Sequence, residues 1–151
     1  MKQDLGLLIT HIDNSEKFEF LFEELSKLIS DNPYSQICIF NSYSDKLHTK
    51  NVPILHINQS KFFSGNLLVF DIVSLYLIQS FPLLNKKYFL AQEAYWTKSY
   101  NNYMDWHNII NQDNLDIIAS NSYIYDIYDI CWRQPKFIME TLNYDNLSKL
   151  L

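Results

Sequence analysis

Glycine is nearly absent: the 151 residues contain only Gly6 and Gly65. Neither lies in the turn after the first apolar run, "HIDNSEK", so the GxGxxG and Walker patterns are both missing. A tight dinucleotide or triphosphate cradle is therefore not expected, and neither is a cofactor. Arginine is scarcer still, with Arg133 alone, and the net charge is −5. A duplex-binding surface needs clustered positive charge, so nucleic acid is not an expected partner. The two cysteines, Cys38 and Cys131, sit in apolar runs without a CxxC or Cys/His pattern. They read as small core residues of a reduced compartment. The longest apolar run, "LLVFDIVSLYLIQSF" at 67–81, carries Asp71 and Gln79 and is shorter than the ~18 to 20 residues of a membrane span. The start, "MKQDLGLLITHID", lacks the charge and cleavage pattern of a secretory signal, so the expected location is cytoplasmic.

Neither a repeat nor a Pro/Gly/Ser linker divides the chain, which reads as one domain over 1–151. Hydrophobic side chains make up 48% of it, enough for a core without disulfides. Asn, Ile, Tyr and Lys are plentiful, a bias expected of an AT-rich genome such as that of many phages.

What is present is an alternation. "LGLLITHI" (5–12) has the length and apolarity of a buried strand, and Phe18, Leu21, Phe22, Leu25, Leu28 and Ile29 then recur at helical spacing. Asp13 followed by Glu16 resembles a capping box at that helix start. "QICIFN" (36–41), "PILHIN" (53–58) and "NLLVFD" (66–71) read as three more strands. A helix is expected from Ile72 to Phe81, before Pro82. "KYFLAQ", "LDIIAS" (115–120) and "KFIMET" complete the strands, with helices around Tyr103–Trp106–Ile110, Ile124–Cys131 and the final "DNLSKLL". Strands apolar on both faces and separated by amphipathic helices imply an α/β fold: a doubly wound, mostly parallel, Rossmann-like sheet with helices on both faces.

In such a sheet the ligand crevice lies outside the carboxyl ends of the strands. Asp13, Asn14, Asn41, Asn58, Asp71, Glu93 and Asn121 fall at or just past those ends. Glu93, beside Tyr95 and Trp96, is the candidate general base or ligand hydrogen-bonding group, the alternative being a solvated strand-end acid. Asp71 is either a ligand contact or the cap of the helix at Ile72, and Asn121 and Ser122 face the same choice for the next helix. Tyr95, Trp96 and Tyr100 are placed to stack on a sugar ring or to join the core. His11 and Asp13 have no third ligand in sequence, so no metal site is expected.

The segments "NLLVFDIVSLYL", "KKYFLAQEAYW", "LDIIASNSYIYDIYDICW" and "PKFIMETLNYD" together resemble the N-terminal, acceptor-side domain of glycosyltransferases with the two-domain GT-B fold. The resemblance spans nearly the whole chain through element order and weak local patterns. In that family the strand similar to "YFLAQE" is commonly followed by a histidine or aspartate at the active-site cleft, and Glu93 stands there. "DIIASNS" is similar to the family's strand and turn with Asn121 and Ser122 at the rim. "FIMETLNYD" looks like the strand leading to the "NGVD" signature, with Asn143 and Asp145 matching. The family's glycine-rich first turn is replaced by "DNSE". The resemblance implies a nucleotide sugar or carbohydrate acceptor as ligand, and a donor-binding half supplied by a second domain or companion chain for catalysis. Two other classes fit the same elements: a non-catalytic α/β interaction module, with a homodimer expected from exposed sheet edges, and a small metal-dependent hydrolase using the rim carboxylates.

Overall fold

The computed structural model describes residues 3–13, 15–42, 51–97 and 100–151. Uninterrupted apolar runs become fully buried strands. β1 (Leu5–Leu8), β2 (Ile37–Asn41) and β4 (Asn66–Val69) have every residue buried, and β5 (Lys86–Ala91) and β6 (Leu115–Ala119) all but one. With β3 (Ile54–His56) and β7 (Phe137–Ile138) they form one seven-stranded sheet in the order β3-β2-β1-β4-β5-β6-β7, and every pairing is parallel. The chain winds outward from β1 to one edge, then crosses back to β4 and winds to the other. This is a doubly wound, Rossmann-like α/β fold, and its switch point lies between β1 and β4.

Strand alternation divides the core in two. Leu5, Leu7, Leu68, Leu90 and Ile118 face α1 (Glu16–Asp31) and α5 (Tyr144–Ser148). Leu8, Val69, Phe89, Ala91 and Ile117 face α2 (Ile72–Ile78), α3 (Tyr103–Ile110) and α4 (Ser122–Cys131). Among the described residues no helix is long and apolar enough to cross a membrane.

Local chemistry moves several boundaries. Asp13 does not cap α1 directly: Ser15 occupies the N-cap position, and Asp13 Oδ1 accepts the Ser15 N–H at 3.0 Å. The "PILHIN" strand stops at His56, because His56 Nδ1 accepts the Asn58 N–H while Gln59 Oε1 accepts the His56 N–H. This reciprocal cap starts a 3-10 helix at Ile57–Phe62, so Asn58 belongs to that helix and not to a strand end. α2 ends at Ile78, three residues before the expected Phe81, and β7 keeps two residues of "KFIMET". β3 and β7 are the sheet edges, at three and two residues, so the described strands leave little ladder open to another chain.

The return of α5 onto α1 depends on one buried carboxylate. Glu24, 7% exposed, accepts the Tyr144 N–H at 2.7 Å with Oε2 and pairs through Oε1 with Lys27. The Lys27 bond and then the Tyr144 amide hold the carboxyl below its ordinary value. A depressed carboxylate contributes stability above its unfolded value of about 4.3, and that contribution disappears as pH falls through the folded value. Glu24→Ala leaves the first amide of α5 unpaired and is expected to cost about 2 kcal/mol. Faster hydrogen exchange confined to α5 and its contact with α1, with a lower denaturation midpoint, is the expected reading. Unchanged exchange there would show that apolar contacts alone hold α5.

Candidate functional site

The carboxyl ends of the strands share one border of the sheet, and among the described residues three clefts open along it. The largest, about 620 Å³, lies beyond β4 to β7 on the α1 side. Its floor is Phe70, Leu90, Met139 and Leu142, and Lys17, Gln92, Ser120 and Glu140 stand at its edge. A second, about 440 Å³, lies against α4 and is lined by Glu93, Trp96, Asn121 and Cys131, the last exposed at the end of α4 and not a core residue as its apolar run suggests. A third, about 220 Å³, fills the switch point between β1 and β4, with His11, Lys17, Phe70 and Asp71 on its walls. An apolar floor with a few polar groups at the edge is the usual composition of a small-molecule site, and the largest cleft is in the usual size range.

Of the residues expected from sequence, Glu93, Trp96 and Asn121 come together in the α4 cleft. Asp71 lies on the same border but in the switch-point cleft. Its chemistry is largely engaged: Oδ1 accepts the Ser74 N–H and Oδ2 the Ser74 hydroxyl, each at 2.7 Å, capping α2. Asn121 likewise caps α4, accepting the Ile124 N–H at 3.0 Å, while Ser122 is exposed in the first turn. Asp13 is exposed and lines none of the three clefts. Asn41 is buried, its amide donating to the Ile9 carbonyl. Asn14 and the Tyr100 side chain lie outside the described residues. No group of three or more His, Cys, Asp or Glu is gathered to hold a metal among the described residues.

The segment that carries Glu93 is clamped from both sides. After β5 the chain makes a single 3-10 turn at Tyr95–Thr97. Tyr95 turns inward: its ring lies 5.7 Å from that of Phe89, and its hydroxyl donates to the Phe70 carbonyl at 3.4 Å. Burial pushes its phenol up to about 12, with the Glu93 and Asp71 charges adding to the effect. From α4, the Tyr128 hydroxyl donates to the Glu93 carbonyl at 3.3 Å, and burial pushes that phenol upward too. Trp96 is wedged between Tyr128 and Trp132, with centroids 5.1 and 4.0 Å away, and Trp132 Nε1 donates to the Tyr103 hydroxyl at 3.0 Å. Trp96 is thus fixed by aromatic packing while remaining part of the cleft wall, whereas Tyr95 is committed to the core.

The residue that sequence reasoning passed over is Gln92. It is exposed and lines all three clefts. Lys17, in the first turn of α1, lines two of them. The signal for Gln92 was present: Leu90 faces the α1 layer, so two-residue alternation carries Gln92 to the same side, where the largest cleft lies.

The fold and this border define a Rossmann-like α/β protein with clefts at the carboxyl ends of its strands. The chain matches no protein-family profile, no curated protein and no solved structure.

Proposed function

We propose that this chain is a glycosyltransferase-like, acceptor-side domain that binds a sugar ligand, a carbohydrate acceptor or a nucleotide sugar, along the lip. The observation that carries the reading is the cleft of about 620 Å³ across the ends of β4 to β7, apolar beneath and ringed by hydrogen-bonding side chains. A pyranose presents the matching surfaces, an apolar face and a belt of hydroxyls. The order of segments around "YFLAQE" and "DIIASNS" supports the same reading. Glu93 would serve as the base that accepts a proton from an acceptor hydroxyl, with its backbone held by Tyr128 and Trp96 closing the wall beside it. Donor binding falls to a second domain or companion chain.

Titrating the protein with neutral glycans and nucleotide sugars while following amide chemical shifts tests this. Shifts are expected at Gln92, Glu93 and Ser120, and Glu93→Gln, which keeps an acceptor oxygen but removes its charge, is expected to weaken binding about tenfold. Silence across the panel would remove the reading. A second reading, an interaction module that pairs with its own copy, is favoured by the outer face of α2, where Val73 is 71% and Leu77 43% exposed. A monomeric mass at working concentration would dismiss it.

A further inference from the structure

The three clefts are not independent. Gln92 belongs to each of them, and the switch-point cleft shares Lys17, Phe70 and Leu142 with the largest. The switch-point cleft and the largest thus adjoin along shared walls, and the α4 cleft meets them at Gln92, so that the three follow one border from His11, past the end of β1, to Ile127 on α4. The largest cleft alone has the volume of an ordinary small-molecule site. With further clefts of about 220 and 440 Å³ neighbouring it along the same border, the tract offers room for several linked rings in series.

Its charge is one-sided. Among the described residues lining the tract, the carboxylates are Glu16, Asp71, Glu93 and Glu140, against Lys17 and the imidazole of His11 at one end. Helix N-termini at this border supply some positive potential, but Asp71 already caps α2, and Glu16 lies in the first turn of α1. Lys17 shares its cleft with Glu16 and Glu140. Lys86, Lys87 and Lys136 sit at the opposite border, where the strands begin. Lys86 and Lys136 are both paired with Asp116 there. A phosphate or carboxylate ligand entering the lip would meet like charge, within reach of a field screened over about 8 Å at physiological ionic strength.

Resting on the sugar-binding reading above, we infer that the ligand of this lip is an extended oligosaccharide without net negative charge, lying across the strand ends with the Gln92 amide at its centre. A neutral amide is suited to hydroxyl ligands, since it both donates and accepts without a charge to desolvate. Gln92 is the shared contact, so its loss acts on every register of the chain.

The test measures binding by calorimetry for neutral glucan, xylan and mannan oligomers from disaccharide to hexasaccharide, for chitosan and oligogalacturonate, and for a uridine diphosphate sugar. Affinity is expected to rise at least about tenfold from disaccharide to hexasaccharide for one of the neutral or cationic series. Oligogalacturonate and the nucleotide sugar should bind at least about tenfold more weakly than that series, with the difference narrowing as salt is added. Gln92→Ala should lower the affinity of the long oligomer and flatten the length dependence; being exposed, Gln92 can be changed without disturbing the core. Preference for the nucleotide sugar, or equal affinity for short and long oligomers, overturns this inference while leaving sugar binding intact. Failure of every sugar to bind overturns both.

Discussion

Gly65→Ala is expected to lower stability by about 3 kcal/mol, the upper part of the range for overpacking a tight site. A β-carbon at Gly65 would lie 2.3 Å from the Asp4 carbonyl oxygen and 2.7 Å from its carbon, and these are backbone atoms with no rotamer to change. Asp4 is held in place on two sides: its carbonyl accepts the Asn66 N–H at 2.7 Å and its carboxylate accepts the Gln36 N–H at 2.6 Å. Retreat would open the first rung between β1 and β4, the pairing on which both halves of the sheet are hung. Gly6→Ala meets the ends of the Leu67 and Phe40 side chains at 2.8 Å and of Phe63 at 3.1 Å, buried side chains that must shift but no backbone, and should cost less, about 2 kcal/mol. Urea denaturation of both variants checks the pair. A Gly65→Ala protein as stable as the parent would mean that β1 and β4 part more easily than their packing suggests.

Alkaline unfolding is the second large effect expected. Cys38 is fully buried and its thiol is pushed up to about 12 from an ordinary 9.0, while burial raises Tyr95 to about 12 from 10.0. Tyr88 and Tyr128 move in the same direction for the same cause. For an acid whose folded value lies above its unfolded one, the folded chain keeps the proton longer. Stability is therefore full below the unfolded value and falls as pH rises toward the folded one. Each such group removes about 1.4 kcal/mol per pH unit in that window. Between about pH 9 and 12 the combined loss is on the order of 5 to 10 kcal/mol, comparable to the whole stability of a domain. Lys87 opposes this: burial lowers it, so its charge weighs less on the fold as pH rises toward its ordinary 10.5, but it is one group against several. Circular dichroism and tyrosinate absorbance should therefore change together and cooperatively between about pH 10 and 12, reversing on return to neutrality. Gradual tyrosine titration with the fold intact would contradict the burial of these side chains.

The sheet was legible because β1, β2 and β4 are apolar but for Asn41 and Asn66 at strand ends, the pattern of parallel strands covered on both faces. The helices α1 and α4 were legible from their spacing. Where prediction and structure part, a side chain competes for backbone groups: Asp13 takes the Ser15 N–H and leaves Ser15 at the N-cap position of α1, and His56 with Gln59 ends β3 early. The carboxyl border followed from the topology, and with it the placement of Glu93, Asp71 and Asn121. The division of those residues among clefts was not legible, because it depends on how the turn after β5 and the segment after β7, whose course α5 anchors, lie over the sheet. That placement is set by contacts distant in sequence, such as Glu24 with Tyr144. The inward turn of Tyr95 and outward stance of Trp96 depend likewise on Phe89, Tyr128 and Trp132.

The buried Asn66 amide, which donates to the Leu150 carbonyl at 2.6 Å, has a consequence for biosynthesis. As the polypeptide leaves the ribosome, β4 emerges long before residue 150, so the middle of the nascent sheet waits with this donor unpaired and with Leu21, Leu25 and Leu28 lacking their cover from Leu147 and Leu150. Translation arrested ahead of α5 should therefore yield a sticky, protease-sensitive chain that chaperones retain, and release should coincide with the arrival of those final leucines.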